Sequence, residues 1–285
     1  MERGINSPSF KIEEYFTKGK NKDELNEDLG VITNYYAAII DGSTSKSEFR
    51  WDGKTTGKIA SEIIGNEIQK LPDDIDAYEA IERISRGIYS FYDKHGLLNQ
   101  VSNNPELKIS ASAVIFSAIR NEVWQIGDCP CLIGNSYFPN TKKIDRIMSE
   151  ARSAFLETEI ARGITVSELM QHDSGREFII PFLSQQNYLQ NNPLAEEYYS
   201  YAALDGFPID AEQVKIYPVK QEKTIILASD GYPKLLSSLE ETENYLKRIL
   251  ATDPLCFREY KSTKGLKTGN NSFDDRTYLR IARLL

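Results

Sequence analysis

Residues 30–41 read GVITNYYAAIID, a run rich in β-branched and aromatic side chains that ends on Asp41-Gly42. Such residues pack well on a pleated surface and Asp-Gly is a common turn pair, so the run is expected to be a strand entering a turn. The signature recurs twice downstream. VWQIG leads into Asp128, and IILAS leads into Asp230-Gly231. Two further acidic pairs stand beside expected strands: Glu27-Asp28 just before Gly30, and Asp274-Asp275 just before the closing run TYLRIA at 277–282.

The segments between these points alternate in character. Residues 56–71 carry Ile59, Ala60, Ile63, Ile64, Ile68 and Leu71 on one helical stripe, and a second stripe, Ala77, Ala80, Ile81, Ile84, Ile88 and Tyr92, runs toward a stop at Gly96. SASAVIFSAI (110–119) and EVWQI (122–126) flank Arg120-Asn121 as a hairpin, TIILA (224–228) is a further strand, and a helix is expected near 238–250. Residues 141–206 are helical in pattern and rich in Gln, Asn and Tyr. The chain therefore reads as one α+β domain, 1–285, with a helical insertion at about 139–215.

Composition narrows the chemistry. The chain has 285 residues, 40% apolar and 27% charged, with a net charge of −8, which fits a folded globular protein and opposes a nucleic-acid or anionic-membrane surface. No apolar run reaches the ~18 residues of a membrane helix, and the first twenty residues lack the apolar core of a signal peptide. Three cysteines cannot all pair within the chain, which points to a reducing, cytoplasmic setting. With His95 and His172 the only histidines, the sequence argues against a His-rich zinc site, and a Ser–His–Asp relay would have to use one of those two. Asp and Glu number 42, so polar chemistry here runs on carboxylates and favours hard cations.

Taken singly, each Asp-Gly is turn chemistry. Gathered at strand ends that meet in space, the carboxylates would repel one another unless cations neutralised them. Mg²⁺ or Mn²⁺ would do so through oxygen ligands, and two ions about 3.5–4 Å apart can clamp a phosphoryl group and activate a water. Other motifs are weaker. Gly53-Lys54-Thr55 lacks the Gly that a phosphate-binding loop requires at position 48, which is Glu. Cys129 and Cys131 read as buried strand thiols, His95 as a helix end, and His172 carries no assigned role.

The series Glu27-Asp28, Asp41-Gly42, a helix pair, a hairpin into Gly127-Asp128, Ser229-Asp230-Gly231 and Ser272-x-Asp274-Asp275-x-Thr277 resembles the metal-dependent protein phosphatases of the type 2C class. The resemblance implies two antiparallel sheets packed face to face with helices outside. It also implies two Mg²⁺ or Mn²⁺ ions in a cleft at one end of the sandwich. By that resemblance Asp41 bridges both ions, Gly42 offers its carbonyl to the second, and Asp230 and Asp274 hold the first. Glu27 and Asp28 orient water, and Asp128 joins Asp230 at a weaker third ion. The implied reaction is direct in-line attack of a metal-activated hydroxide on a phosphoester. The implied substrate is phosphoserine or phosphothreonine of a protein, or a small phosphoester, with no nucleic acid or membrane partner.

Departures from the pattern are specific. Ser43-Thr44-Ser45-Lys46 replaces the usual His or Met and paired glycines, and Asp23 stands where eukaryotic members carry a phosphate-binding Arg. Lys46, Arg50 and Lys54 are substitutes for that clamp, although a solvated charged loop is the favoured reading. Gly127-Asp128-Cys129-Pro130 drops the usual Arg, and Asp275 replaces Asn. The insertion corresponds to the family's substrate flap, where an amphipathic helical cover is preferred over a recognition lid. These changes keep open a catalytically weak regulator or phosphoprotein-binding protein. A phospho-Asp41 enzyme ranks lower, because Ser43 stands where that chemistry needs a second Asp.

Overall fold

The run at 30–41 makes two strands rather than one. In the computed structural model, which describes residues 10–21, 26–43 and 50–284, β2 (Leu29–Ile32) and β3 (Tyr36–Gly42) pair antiparallel around a turn at 33–35. Thr33 closes it by accepting the N–H of Tyr35 and of Tyr36 on its hydroxyl, a local bond that competes with continuing the strand. Asp41-Gly42 is no turn either. Both residues stay in β3, opposite Ser112 and Ala111 of β4 (Ala111–Ser117). Asp23 and the loop at 44–46, including Lys46, lie outside the described residues.

Two five-stranded antiparallel sheets form. One follows the order β2-β3-β4-β5-β8, with β5 at Glu122–Ile126 and β8 at Lys215–Pro218. The other follows β1-β10-β9-β6-β7, with β1 at Phe10–Lys18, β6 at Cys131–Ile133, β7 at Ser136–Phe138, β9 at Thr224–Ala228 and β10 at Arg276–Arg283. The β4–β5 hairpin turns at Arg120-Asn121, where Asn121 takes the left-handed φ of 52° that Asn tolerates.

Successive side chains on a strand point to opposite faces, and in β3 both faces are covered. Ala37 and Ile39 pack between the sheets with Val114, Phe116, Leu227 and Leu279. Ala38 and Ile40 pack outward against Ile64, Ile84 and Ile88 of α1 (Thr56–Ile68) and α2 (Ala77–Lys94). That double burial is why the run is apolar without alternation. On the far side, Ile226 and Tyr278 pack against Leu246 of α7 (Leu239–Thr252). The architecture is an antiparallel β-sandwich flanked by helices, as expected.

After α2 comes a short helix α3 (Leu98–Asn103), and between β7 and β8 lie α4 (Lys143–Ala161), α5 (Val166–Gln171) and α6 (Ser174–Gln185). Among the described residues no helix is long and apolar enough to cross a membrane.

Candidate active site

Strands from both sheets end at one place. Asp41 and Gly42 close β3, Gly127-Asp128 follow β5, Asp230 follows β9 and Asp274 precedes β10. Asp41, Gly42, Asp128, Asp230 and Asp274 line a single cleft of about 100 Å³, together with Ser112, Thr56 at the start of α1, and Lys108, Lys142, Arg176 and Lys264. Glu27 and Asp28 are more deeply buried, behind the cleft wall.

Close backbone approach sets the geometry. A Cβ on Gly42 would run into the carbonyl of Gly57 in α1, and one on Gly57 would meet the Gly42 carbonyl carbon at 2.7 Å and Glu27 Oε1 at 2.8 Å. The two glycines thus let helix, strand and acidic pair converge. Gly127 takes φ 78°, swinging Asp128 off the end of β5, where Ser112 Oγ donates to its Oδ1 at 2.5 Å.

A hydrogen-bond network stitches the two sheets beneath the acids. Asp28 Oδ2 accepts from Ser229 Oγ at 2.7 Å and from Thr277 Oγ1 at 2.9 Å, while Asp28 Oδ1 is buried with no protein partner. Asp41 Oδ2 accepts the Asp230 N–H at 3.4 Å across 189 residues of chain. Asp275, which stands where the resembled family has Asn, is a tether. Its two oxygens accept the backbone N–H groups of Lys20 at 2.8 Å and Glu27 at 3.0 Å.

The carboxylates divide by charge environment. Burial, then the neighbouring Asp230, Asp28 and Asp274, push the Asp41 pKa well above the ordinary range. Burial pushes Asp28 up to about 7, with Asp275 and Asp274 adding to it. Asp230 also rises to about 7, through burial and then repulsion from Asp274 and Asp128. For Asp128 and Asp274 burial acts upward too, yet lysines hold both below the usual value. Lys142 does so for Asp128 at 3.0 Å, and Lys264 with Lys20 for Asp274. Lys20 also lies 4.0 Å from Glu27 and 3.9 Å from Asp275.

Seven carboxylates thus face three lysines. Among the described residues no three ligating side chains are gathered into a finished cage, and Asp128 and Asp274 are engaged by ammonium groups. The donor set still fits a hard divalent ion. It is oxygen only, it carries more negative charge than the lysines balance, and it includes a buried Asp28 oxygen without a partner.

The chain path can now be set beside known proteins. No family model matches this sequence, and no curated protein matches it. Solved structures do. A bacterial serine phosphatase is 14% identical, with 96% of this chain and 98% of that one covered and a TM-score of 0.48. Serine/threonine phosphatase Stp1 from Staphylococcus aureus is 15% identical, with 95% of each chain covered and a TM-score of 0.48. The catalytic domain of serine/threonine protein phosphatase PstP, in complex with two manganese ions, is 16% identical, with 96% and 97% covered and a TM-score of 0.47.

At these identities and scores the likeness is one of chain path, and the chemistry has to be read from the side chains. The residues that sequence missed are the lysines and the hydroxyls. Lys142, Lys264 and Lys20 carry no motif, and only tertiary packing brings them to the acids.

The remaining motifs have structural work. Lys54 pairs with Glu62 at 2.7 Å and Thr55 caps α1, so the Gly-Lys-Thr run is a helix start. Cys129 and Cys131 are buried free thiols. His95 ends α2 with its ring 4.3 Å from that of Trp51 and 4.6 Å from that of Phe91, and His172 is exposed beside Glu177.

Proposed function

We propose that this chain is a metal-dependent phosphatase that hydrolyses phosphoesters, with phosphoserine or phosphothreonine of proteins as its substrate class. The observation that carries the reading is the convergence of aspartates from strand ends of both sheets on one cleft, partly buried and mutually repelling. Asp41, the Gly42 carbonyl, Asp230 and Asp274 would hold two Mg²⁺ or Mn²⁺ ions, and Asp128 a weaker third. Bound there, such ions supply positive charge to the phosphoryl oxygens and make water acidic enough to attack near neutral pH.

The chain's own groups position the reaction. Ser229 and Thr277 fix Asp28 so that its free Oδ1 can orient a water, with Glu27 beside it. That water forms a new P–O bond as the bond to the alcohol breaks, giving inorganic phosphate and the free hydroxyl. We read residues 1–285 as one unit in which about 139–215 form a flap over the cleft, and the three buried free thiols support a cytoplasmic setting.

A second reading, a catalytically weak regulator that binds phosphoproteins, is favoured by the ammonium groups of Lys142 and Lys264 on two of the ligand positions. Hydrolysis of an aryl phosphate after chelation and add-back of Mn²⁺ or Mg²⁺, with Asp41→Asn in parallel, separates the two. Activity that returns with metal and falls at least about 10²-fold in the variant supports the enzyme. Folded wild-type protein that binds metal yet turns over no phosphoester supports the regulator.

A further inference from the structure

If the chain is a phosphatase, something must hold a phosphate dianion beside seven carboxylates. The sequence offers no arginine ahead of Glu27-Asp28. Of its substitutes, Lys46 lies outside the described residues, Lys54 is paired to Glu62, and Arg50 is exposed. The cleft itself presents a different set of cations: Lys108, Lys142, Lys264 and Arg176.

Three of these are already committed. Lys108 pairs with Asp205 at 3.0 Å, Lys142 with Asp128 at 3.0 Å, and Lys264 with Asp274. Arg176 makes no ion pair among the described residues. Its Nη1 donates to the Thr263 carbonyl at 2.8 Å, which seats the guanidinium on the cleft wall next to Lys264. Of the five N–H donors an arginine carries, that one bond leaves the others for a ligand.

The backbone that carries Arg176 is also pinned. Asp173 caps α6 by accepting the Arg176 N–H at 2.8 Å, and it accepts Arg152 Nη2 at 2.6 Å. Arg152, fully buried, also donates from Nε to Asp173 at 3.2 Å, and its Nη1 donates to the carbonyls of Leu255, Cys256 and Ser262. The start of α6 and the loop that carries Thr263 and Lys264 are therefore pinned to one another. Burial pulls the Arg176 pKa down, and Asp274 is the carboxylate that most opposes it, which places the guanidinium in the field of the acid cluster.

We propose that Arg176 is the positioning residue that holds the phosphoryl oxygens of the substrate. A planar guanidinium presents parallel N–H groups that match two oxygens of a phosphate, which a single ammonium cannot do. The Nη1 bond to the Thr263 carbonyl already holds one edge of the guanidinium at the cleft, which reduces the ordering cost of binding. The arrangement gives the helical insertion a direct part in the site, since α6 belongs to it. This inference rests on the phosphatase reading for its kinetic consequence, but phosphate binding tests it separately.

The experiment uses Mn²⁺-loaded full-length protein, with Arg176→Gln as the main variant and Arg176→Lys as the rescue. Glutamine keeps a donor for Thr263 and removes the charge. The Arg176→Gln protein should keep the wild-type melting temperature and calorimetric Mn²⁺ affinity. Its KM for an aryl phosphate and its inhibition constant for inorganic phosphate should each rise about tenfold or more, the loss of a charge-assisted contact. Arg176→Lys should recover part of that loss. A purely structural role would lower the melting temperature and leave KM and phosphate inhibition within about twofold, and that result overturns the proposal. If the wild type shows no turnover, calorimetry with inorganic phosphate decides. Binding that Arg176→Gln loses upholds the arginine's role while the catalytic reading fails, and binding that the variant retains overturns the arginine's role.

Discussion

Replacing Asp230 with Asn should stabilise the metal-free protein. Asp230 sits at the cleft with its pKa raised to about 7 from 3.8, by burial and by repulsion from Asp274 and Asp128. A carboxyl whose folded pKa is raised binds its proton more tightly in the folded state. Its contribution to stability is therefore fully present below the unfolded value of 3.8 and is lost as pH rises through the folded value of about 7. A shift of about 3 units corresponds to about 4 kcal/mol at most. The group faces the water of the cleft and shares its repulsion with Asp41, so neutralising it alone should recover about half, roughly 2 kcal/mol. For a chain of this size that is a rise in melting temperature of about 4–8 °C. The assay is scanning calorimetry of wild type and Asp230→Asn in chelator, at about pH 8 and about pH 5. The variant should gain stability at the higher pH and keep only a minor part of that advantage at the lower, where folded Asp230 is already protonated. An equal shift at both pH values, or a less stable variant at the higher one, would refute the electrostatic reasoning.

Gly57→Ala forces a Cβ against the Gly42 carbonyl and Glu27 Oε1, both at 2.8 Å, so it should cost about 2–3 kcal/mol in urea denaturation and lower metal affinity with it. Lys264→Met removes the ammonium that engages Asp274, and calorimetry should show Mn²⁺ binding about tenfold tighter; unchanged affinity would mean that the lysine does not compete for the site. Tyr92→Phe strips the buried hydroxyl that donates to the Ile109 carbonyl at 3.0 Å and accepts its N–H at 2.8 Å. It should destabilise the fold by about 1–3 kcal/mol without altering metal binding.

Much of the framework was legible because it is local. The stripes of α1 and α2, the β4–β5 hairpin and the apolar strands ending on aspartate are each set within a dozen or so residues. What escaped notice did so for identifiable reasons. Strand β1, FKIEEYFTK, has Glu14 at a half-buried position between Ile12 and Phe16, which hides its apolar period, and β6 and β7 are three residues each, too short to show one. The Thr33 turn splits what reads as one strand, because its hydroxyl captures two N–H groups at a point where hydrophobicity alone shows no break.

The sequence by itself determined the two helical stripes of α1 and α2 and the apolar strands β3, β4, β5 and β9, and placed an aspartate at or just after the ends of β3, β5 and β9, because side-chain period and turn chemistry act between near neighbours. Only the tertiary structure decided that these aspartates share a cleft. The packing of one sheet on the other brings Asp41 and Asp230 together across 189 residues, and the paired glycines let α1 close on β3. It also set lysines and an arginine from the insertion and the loop before β10 among the acids, a charge balance that is a sum over distances no local pattern encodes.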